Sequence, residues 1–422
     1  MESPSAQTNS PQSAIAADAP RVVVTGLGVV SSVGIGVDKF LDAMRSGTQG
    51  VRPITSFDVS GFPHSNGCEV DGFDPNSWIR RHEPSELGRA SQFAIAAARM
   101  AVADAGFAEE ALRERSGLIA VGTTDGESRD LDELTSVQLD GGPEAIDQVL
   151  AKRVPAGRLS SLVARELAVT DVEAVTIATA CAAGNYAIGY GADSLRGGDV
   201  DFALVGGADA VCRKTFAGFF RVGTIAAQRC CPFDIDRDGI LTGEGAGILL
   251  LERLDDALAR GATIYAEVLG YGLNCDADHP VAPNLDSFAR CMALAHHDAK
   301  VSPADVDFIS AHGTGTRAND TCEAAAIRQV FGDGLPPTIS IKSMIGHAMG
   351  AASALSAIAC ALALSHSFIP PTTNHAQTDP ECALDVVPNH ARAMELNIVQ
   401  NNALAFGGNN AVLLLGRHRA SS

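Results

Sequence analysis

The chain has 422 residues, 46% of them hydrophobic and only 5% aromatic, with 42 glycines. Its formal net charge is −19 and its pI lies near 4.9, which argues against nucleic acid or anionic membrane as partners. Ten cysteines include no CxxC pair and no His/Cys metal spacing, so they are expected to be reduced thiols of a cytoplasmic protein.

Residues 1–20 carry neither a basic stretch nor an apolar one and read as a disordered tail rather than a signal peptide. From residue 21 onward, strand and helix patterns alternate, as in an α/β protein with a mixed or parallel sheet. Val22–Thr25, Leu118–Val121, Val172–Ile177 and Phe202–Val205 are predicted as strands, and Ser91–Ala105 as a helix between them. Val172–Ile177 runs into Ala178-Thr179-Ala180-Cys181-Ala182-Ala183-Gly184, and the proline-free Ala/Gly stretch to Leu195 is predicted as a buried helix. Cys181 thus sits at a strand-to-helix junction. Backbone N–H groups there favour a thiolate and can offer a donor to an oxyanion. Taken alone, a free cysteine is more often a small buried hydrophobe, so the case for Cys181 depends on residues in the second half of the chain.

Beyond Glu252 the pattern restarts. Ala266–Gly272 matches Val23–Gly28, and Phe308–Thr314 matches Leu118–Thr123. Thr338–Lys342 matches the approach to Cys181, and Ala403–Gly408 matches Ala203–Gly207. Any α/β protein repeats strand, glycine and helix, but four matches in one order favour a duplicated unit. In a doubled fold the ends of equivalent strands meet, so Cys181 would face His312, Lys342 and His347. The most apolar run, Ala348–Ala363, is rich in Ala, Gly and Ser and suits a buried helix better than a membrane span.

Three second-half segments stand out: Ala311-His312-Gly313-Thr314 with Asp320 and Glu323 beyond it, Ser340-Ile341-Lys342 through His347, and Ala405-Phe406-Gly407-Gly408-Asn409-Asn410. Individually, such a histidine is often structural, such a lysine solvated and such a glycine pair a turn. Asp234–Gly239 is not read as a calcium loop, because position 245, where a bidentate Glu is required, is Gly. Gly26-Leu27-Gly28 lacks the third glycine of a dinucleotide fingerprint.

Taken together, VVVTGLGVVSSVG (22–34), TACAAG (179–184), CPFDIDRDGILTGEGAG (231–247), AHGTGTRAND (311–320), IKSMIGHAMGAA (341–352) and FGGNN (406–410) resemble the elongating β-ketoacyl-carrier-protein synthases of the thiolase superfamily. The resemblance covers about residues 21–418. It implies a thiolase-like α/β fold with duplicated βαβαβαββ halves in five layers, α/β/α/β/α: an N-terminal half over 21–258 with the nucleophile and a C-terminal half over 259–418 with the histidines. It further implies Cys181 as the acyl-accepting nucleophile, His312 and His347 as the decarboxylating pair, Lys342 with Glu323 organising it, and Phe406-Gly407 as the gate. The N–H groups of Cys181 and Phe406 would form the oxyanion hole. No metal or organic cofactor is implied, since the carrier's phosphopantetheine brings the thioester.

The implied partners are an acyl carrier protein and a second subunit, identical or homologous, paired through the sheet edge and helices of half one. Arg213, Lys214 and Arg221 are candidates for a basic docking patch. A thiolase would need a second cysteine in the Gly-rich segment, an initiating synthase would pair His with Asn, and a chain-length factor would lack Cys181. No GxSxG supports an α/β-hydrolase. Ala405 and Asn409 depart from the usual Gly-Phe-Gly-Gly-Thr-Asn gate, and the connection Thr224–Cys231 is short. These departures fit a specialised polyketide synthase better than a housekeeping fatty-acid enzyme. The alternatives are a non-elongating acyltransferase or the partner subunit of a heterodimer.

Overall fold

The computed structural model describes residues 19–419; nearly all of the tail expected over 1–20 lies outside them. The first half contributes strands β1 (Val22–Ser31), β2 (Gly117–Gly122), β3 (Val172–Ile177), β4 (Phe202–Asp209) and β5 (Gly245–Arg253), with helices α1 (Arg89–Asp104), α2 (Arg158–Leu167) and α3 (Ala183–Gly197). The second contributes β6 (Ala266–Cys275), β7 (Phe308–Ser310), β8 (Thr338–Ile339), β9 (Ile398–Leu404) and β10 (Asn409–Gly416), with helices α4 (Leu285–Ala299), α5 (Arg317–Phe331) and α6 (Ala352–His366).

The strand order is β1-β5-β4-β2-β3 in the first half and β6-β10-β9-β7-β8 in the second. These are the same order under the exchange of equivalent strands. The parallel pairs (β2 with β3 and β4; β7 with β8 and β9) and the antiparallel ones also correspond. Antiparallel pairing of Val22–Val24 with Ala266–Val268 joins the halves into one eleven-stranded sheet. Each of the four sequence matches falls on an equivalent strand pair.

Helices α1 and α2 cover the outer face of the first half, and α4 and α5 that of the second. Between them α3 packs on β4 and β2, and α6 on β9 and β5, with α3 against α6, which makes five layers. A helix enclosed on every side must be apolar all round. Met349–His366 is such a segment: long and apolar enough to cross a membrane, yet 89% buried within the protein. Gly26 and Gly28 serve close packing. A Cβ on Gly28 would lie 1.8 Å from the Ala97 carbonyl oxygen of α1, and one on Gly26 would lie 2.1 Å from that of Ala101.

β3 is one of the sheet's two edge strands, paired among the described residues only with β2. Its Val172, Val175 and Ile177 are half-buried, and Ala174 is exposed. All ten cysteines are free.

Candidate active site

The carboxyl ends of the equivalent strands β3 and β8 carry Cys181 and the Lys342–His347 segment. Cys181 occupies a 3-10 turn, Ala180–Ala182, that leads into α3. The turn begins with Ala180 at φ +50°, a conformation costly for a residue with a Cβ. His312 follows β7, and the short helix Lys342–Ile345 precedes His347. Cys181, His312, His347 and Phe406 line one cavity of about 90 Å³. The two imidazoles stand nearly perpendicular, centroids 5.5 Å apart.

Lys342 is buried and donates from Nζ to the His312 carbonyl oxygen at 2.6 Å, with His312 Nδ1 at 3.5 Å. The Glu323 carboxylate accepts the His312 and Gly313 N–H groups, both at 2.8 Å, and Asn402 Nδ2 at 3.1 Å. Among the described residues no ion pair within 4 Å joins Glu323 to Lys342; both hold the His312 backbone, and the Glu323 charge partly offsets the burial that lowers the Lys342 ammonium. Gly407, at φ +86°, is not among the residues that line the cavity, and its N–H donates to the Pro280 carbonyl oxygen at 2.9 Å.

The electrostatics correct one expectation. Burial pushes the Cys181 thiol up to about 12; Lys342 opposes this and the carboxylates of Asp209 and Asp125 add to it. Burial thus works against the thiolate that the helix junction favours. Burial, and then the Lys342 charge, hold His312 and His347 well below the usual histidine range. Both rings are neutral at physiological pH.

Several contributors had no role assigned from local pattern. Phe219, on the helix Arg213–Arg221, stacks 5.3 Å from Phe406 and 6.5 Å from His347. Thr314, Thr316 and Asn319 line the cavity, as does the loop after β6 with Asp276 and His279. That loop is tied to the gate segment: Asp276 N–H donates to Gly408 O at 2.9 Å, and Asn410 Nδ2 to Asp276 Oδ1 at 2.6 Å. The Asp234–Gly239 segment is a structural anchor. Asp234 accepts the Ala376 and Gln377 N–H groups, and Arg237 is buried against Asp379 and Asp320. Of the candidate basic patch, Lys214 is committed to Asp125 at 2.9 Å and Arg213 lies over the Phe62 ring.

This fold and cavity define a thiolase-like condensing enzyme, an acyltransferase that forms C–C bonds. The sequence profiles of the beta-ketoacyl synthase N-terminal and C-terminal domains match residues 19–257 and 265–376. The 3-oxoacyl-[acyl-carrier-protein] synthase 2 of Synechocystis sp. is 36% identical over 94% of this chain and 98% of its own length. Nodulation protein E of Rhizobium sp. is 38% identical over 93% and 98%. Among solved structures, the ishigamide ketosynthase/chain length factor superposes with a TM-score of 0.94 at 60% identity, covering 95% of this chain and 100% of that one. A ketosynthase bound to the hexaketide, in complex with its type II polyketide synthase acyl-carrier protein, gives 0.88 at 30% identity, with 95% and 100% covered. The chain belongs to the beta-ketoacyl synthase family.

Proposed function

We propose that this chain elongates an acyl chain by decarboxylative condensation with a malonyl-carrier protein. Cys181 attacks the carbonyl carbon of an acyl-carrier thioester. Its proton passes to the departing pantetheine sulfur, which leaves as the thiol. Malonyl-carrier then binds, its carboxylate leaves as CO₂, and the bond's electron pair becomes a thioester enolate. The enolate carbon attacks acyl-Cys181, the cysteine sulfur leaves as a thiolate and takes up a proton from solvent, and a β-ketoacyl-carrier is released. The reaction as written balances without a resident cofactor.

The observation that carries this reading is a pair of neutral imidazoles beside a buried cysteine. Met349 N–H donates to His347 Nδ1 at 3.1 Å, which leaves the hydrogen on Nε2. Lys342 near His312 Nδ1 likewise favours Nε2–H there. Two such donors stabilise an enolate oxygen, each worth roughly 2.7–4 kcal/mol. Glu323 positions His312 by holding the His312 and Gly313 N–H groups. Phe406 is the gate, and its N–H with that of Cys181 forms the oxyanion hole.

The partners in this reading are an acyl carrier protein and a second ketosynthase-like subunit, identical or homologous. The half-apolar β3 edge supports the second. Arg221, exposed on the helix beside the cavity, remains a docking candidate. We assign the chain to polyketide assembly on its gate departures and to the cytoplasm on its unpaired cysteines.

Intact-protein mass spectrometry with an acyl-carrier and then malonyl-carrier tests the reading. Acylation at Cys181 followed by a β-ketoacyl product, both lost in Cys181→Ala, is the expected result. Acylation without condensation would point to a non-elongating acyltransferase. No acylation with any chain would favour a non-catalytic partner subunit.

A further inference from the structure

A second polar group reaches this site from the outer helical layer. His296 lies in the last turn of α4, 5% exposed, with its ring edge-on to Phe331 at 5.5 Å. Its Nε2 is 2.7 Å from Gln400 Oε1. Gln400 Nε2 donates to Asn402 Oδ1 at 2.7 Å, and Asn402 Nδ2 donates to Glu323 Oε1 at 3.1 Å. All four side chains are buried.

The direction of this hydrogen-bond relay is set at its end. A carboxylate only accepts, so the Asn402 nitrogen faces Glu323 and its oxygen faces Gln400. The Gln400 oxygen is then turned to His296, whose Nε2 must be the donor. Three consecutive donations thus converge on the carboxylate that holds the His312 and Gly313 N–H groups. The ring packs against Phe331, which belongs to the apolar cluster that also holds Phe288 and Met292. An aliphatic side chain at 296 would fill such a space without a buried polar group that needs a partner.

We propose that His296 is a positioning residue for condensation, acting through Gln400 and Asn402 to fix Glu323 and hence the His312 loop; this rests on the condensing reading above. The relay reaches the histidine side of the cavity and not Cys181. Its loss should therefore affect the two half-reactions unequally.

The test uses full-length protein and scores acylation of Cys181 separately from CO₂ release and condensation. His296→Phe keeps a ring but removes the donor, whereas His296→Gln retains a side-chain N–H. Gln400→Met cuts the same relay from β9, so the measurement does not depend on one variant folding. The expected result is acylation within about twofold of wild type. Condensation falls about tenfold or more at unchanged KM for malonyl-carrier in His296→Phe and Gln400→Met, and most of the rate returns in His296→Gln. Wild-type condensation in the Phe and Met variants would overturn the proposal. So would a parallel loss of both half-reactions with a lowered Tm, which marks a purely structural role. A wild-type protein that is acylated but never condenses overturns the condensing reading, and this inference with it.

Discussion

The backbone N–H of Met349 donates to His347 Nδ1 at 3.1 Å, and Met349 adopts a left-handed φ of +50°. That bond sets the tautomer of a ring that lines the cavity. A strained residue two positions along the chain thus determines which histidine nitrogen carries the hydrogen.

The resting state of the nucleophile can be titrated directly. Burial raises the Cys181 thiol to about 12, so at neutral pH the free protein holds a thiol rather than a thiolate. Alkylation of Cys181 by iodoacetamide should be slow at pH 7 and still rising through about pH 9–10. A plateau near pH 7 would show an ion pair or helix dipole stronger than the desolvation.

Burial first, and then the Lys342 charge, lower the affinity of both histidines for protons. Without the lysine charge the histidine pKa values rise, so protonation begins at higher pH. Burial, the larger cause, remains in Lys342→Met, so the acid-side fall in condensation should begin at a higher pH in that variant than in wild type, with both rings still held below the ordinary histidine range. Identical pH profiles would detach Lys342 from this role. Lower overall activity is also expected, since Lys342 Nζ donates to the His312 carbonyl.

Arg237 is fully enclosed, with Nη1 on Asp379 at 2.5 Å and Nε 3.6 Å from Asp320. Asp320 also accepts the Thr314 and Gly315 N–H groups at 3.0 and 3.2 Å, so the arginine braces the loop after His312. Arg237→Met leaves buried carboxylates without their cation and should cost roughly 3–5 kcal/mol. Chemical denaturation would check this; a change under about 1 kcal/mol would refute it.

Gly408 has φ +80°, and a Cβ there would lie 2.8 Å from the Asp276 Cβ. Gly408→Ala therefore combines backbone strain of about 1–2 kcal/mol with a clash against the neighbouring loop. Slower condensation, with Cys181 still alkylated by a small reagent, is the expected outcome. Unchanged turnover would show that the two loops move independently.

The duplication was legible because each half repeats the same strand–glycine–helix punctuation, and chirality and short connections leave few ways to arrange it. Cys181, His312 and Lys342 were legible because each follows the end of a strand, and His347 because it lies just beyond the short helix that Lys342 opens, so local pattern places them at the same rim of the sheet. Phe219 was not. Nothing in Arg213–Arg221 shows that one of its aromatics reaches Phe406, since that contact depends on how a peripheral helix docks. Lys214 read as a free basic charge until the fold placed Asp125 beside it.

By itself, the sequence determined the α/β class, the doubled unit and the residues able to carry thioester chemistry, because propensity, periodicity and residue type act over a few neighbours. Only the tertiary structure decided that burial raises the Cys181 thiol, that Glu323 holds the His312 and Gly313 backbone, and that His296 is linked to it. Desolvation and hydrogen-bond direction are set by atoms far apart in the chain, and no local pattern encodes them.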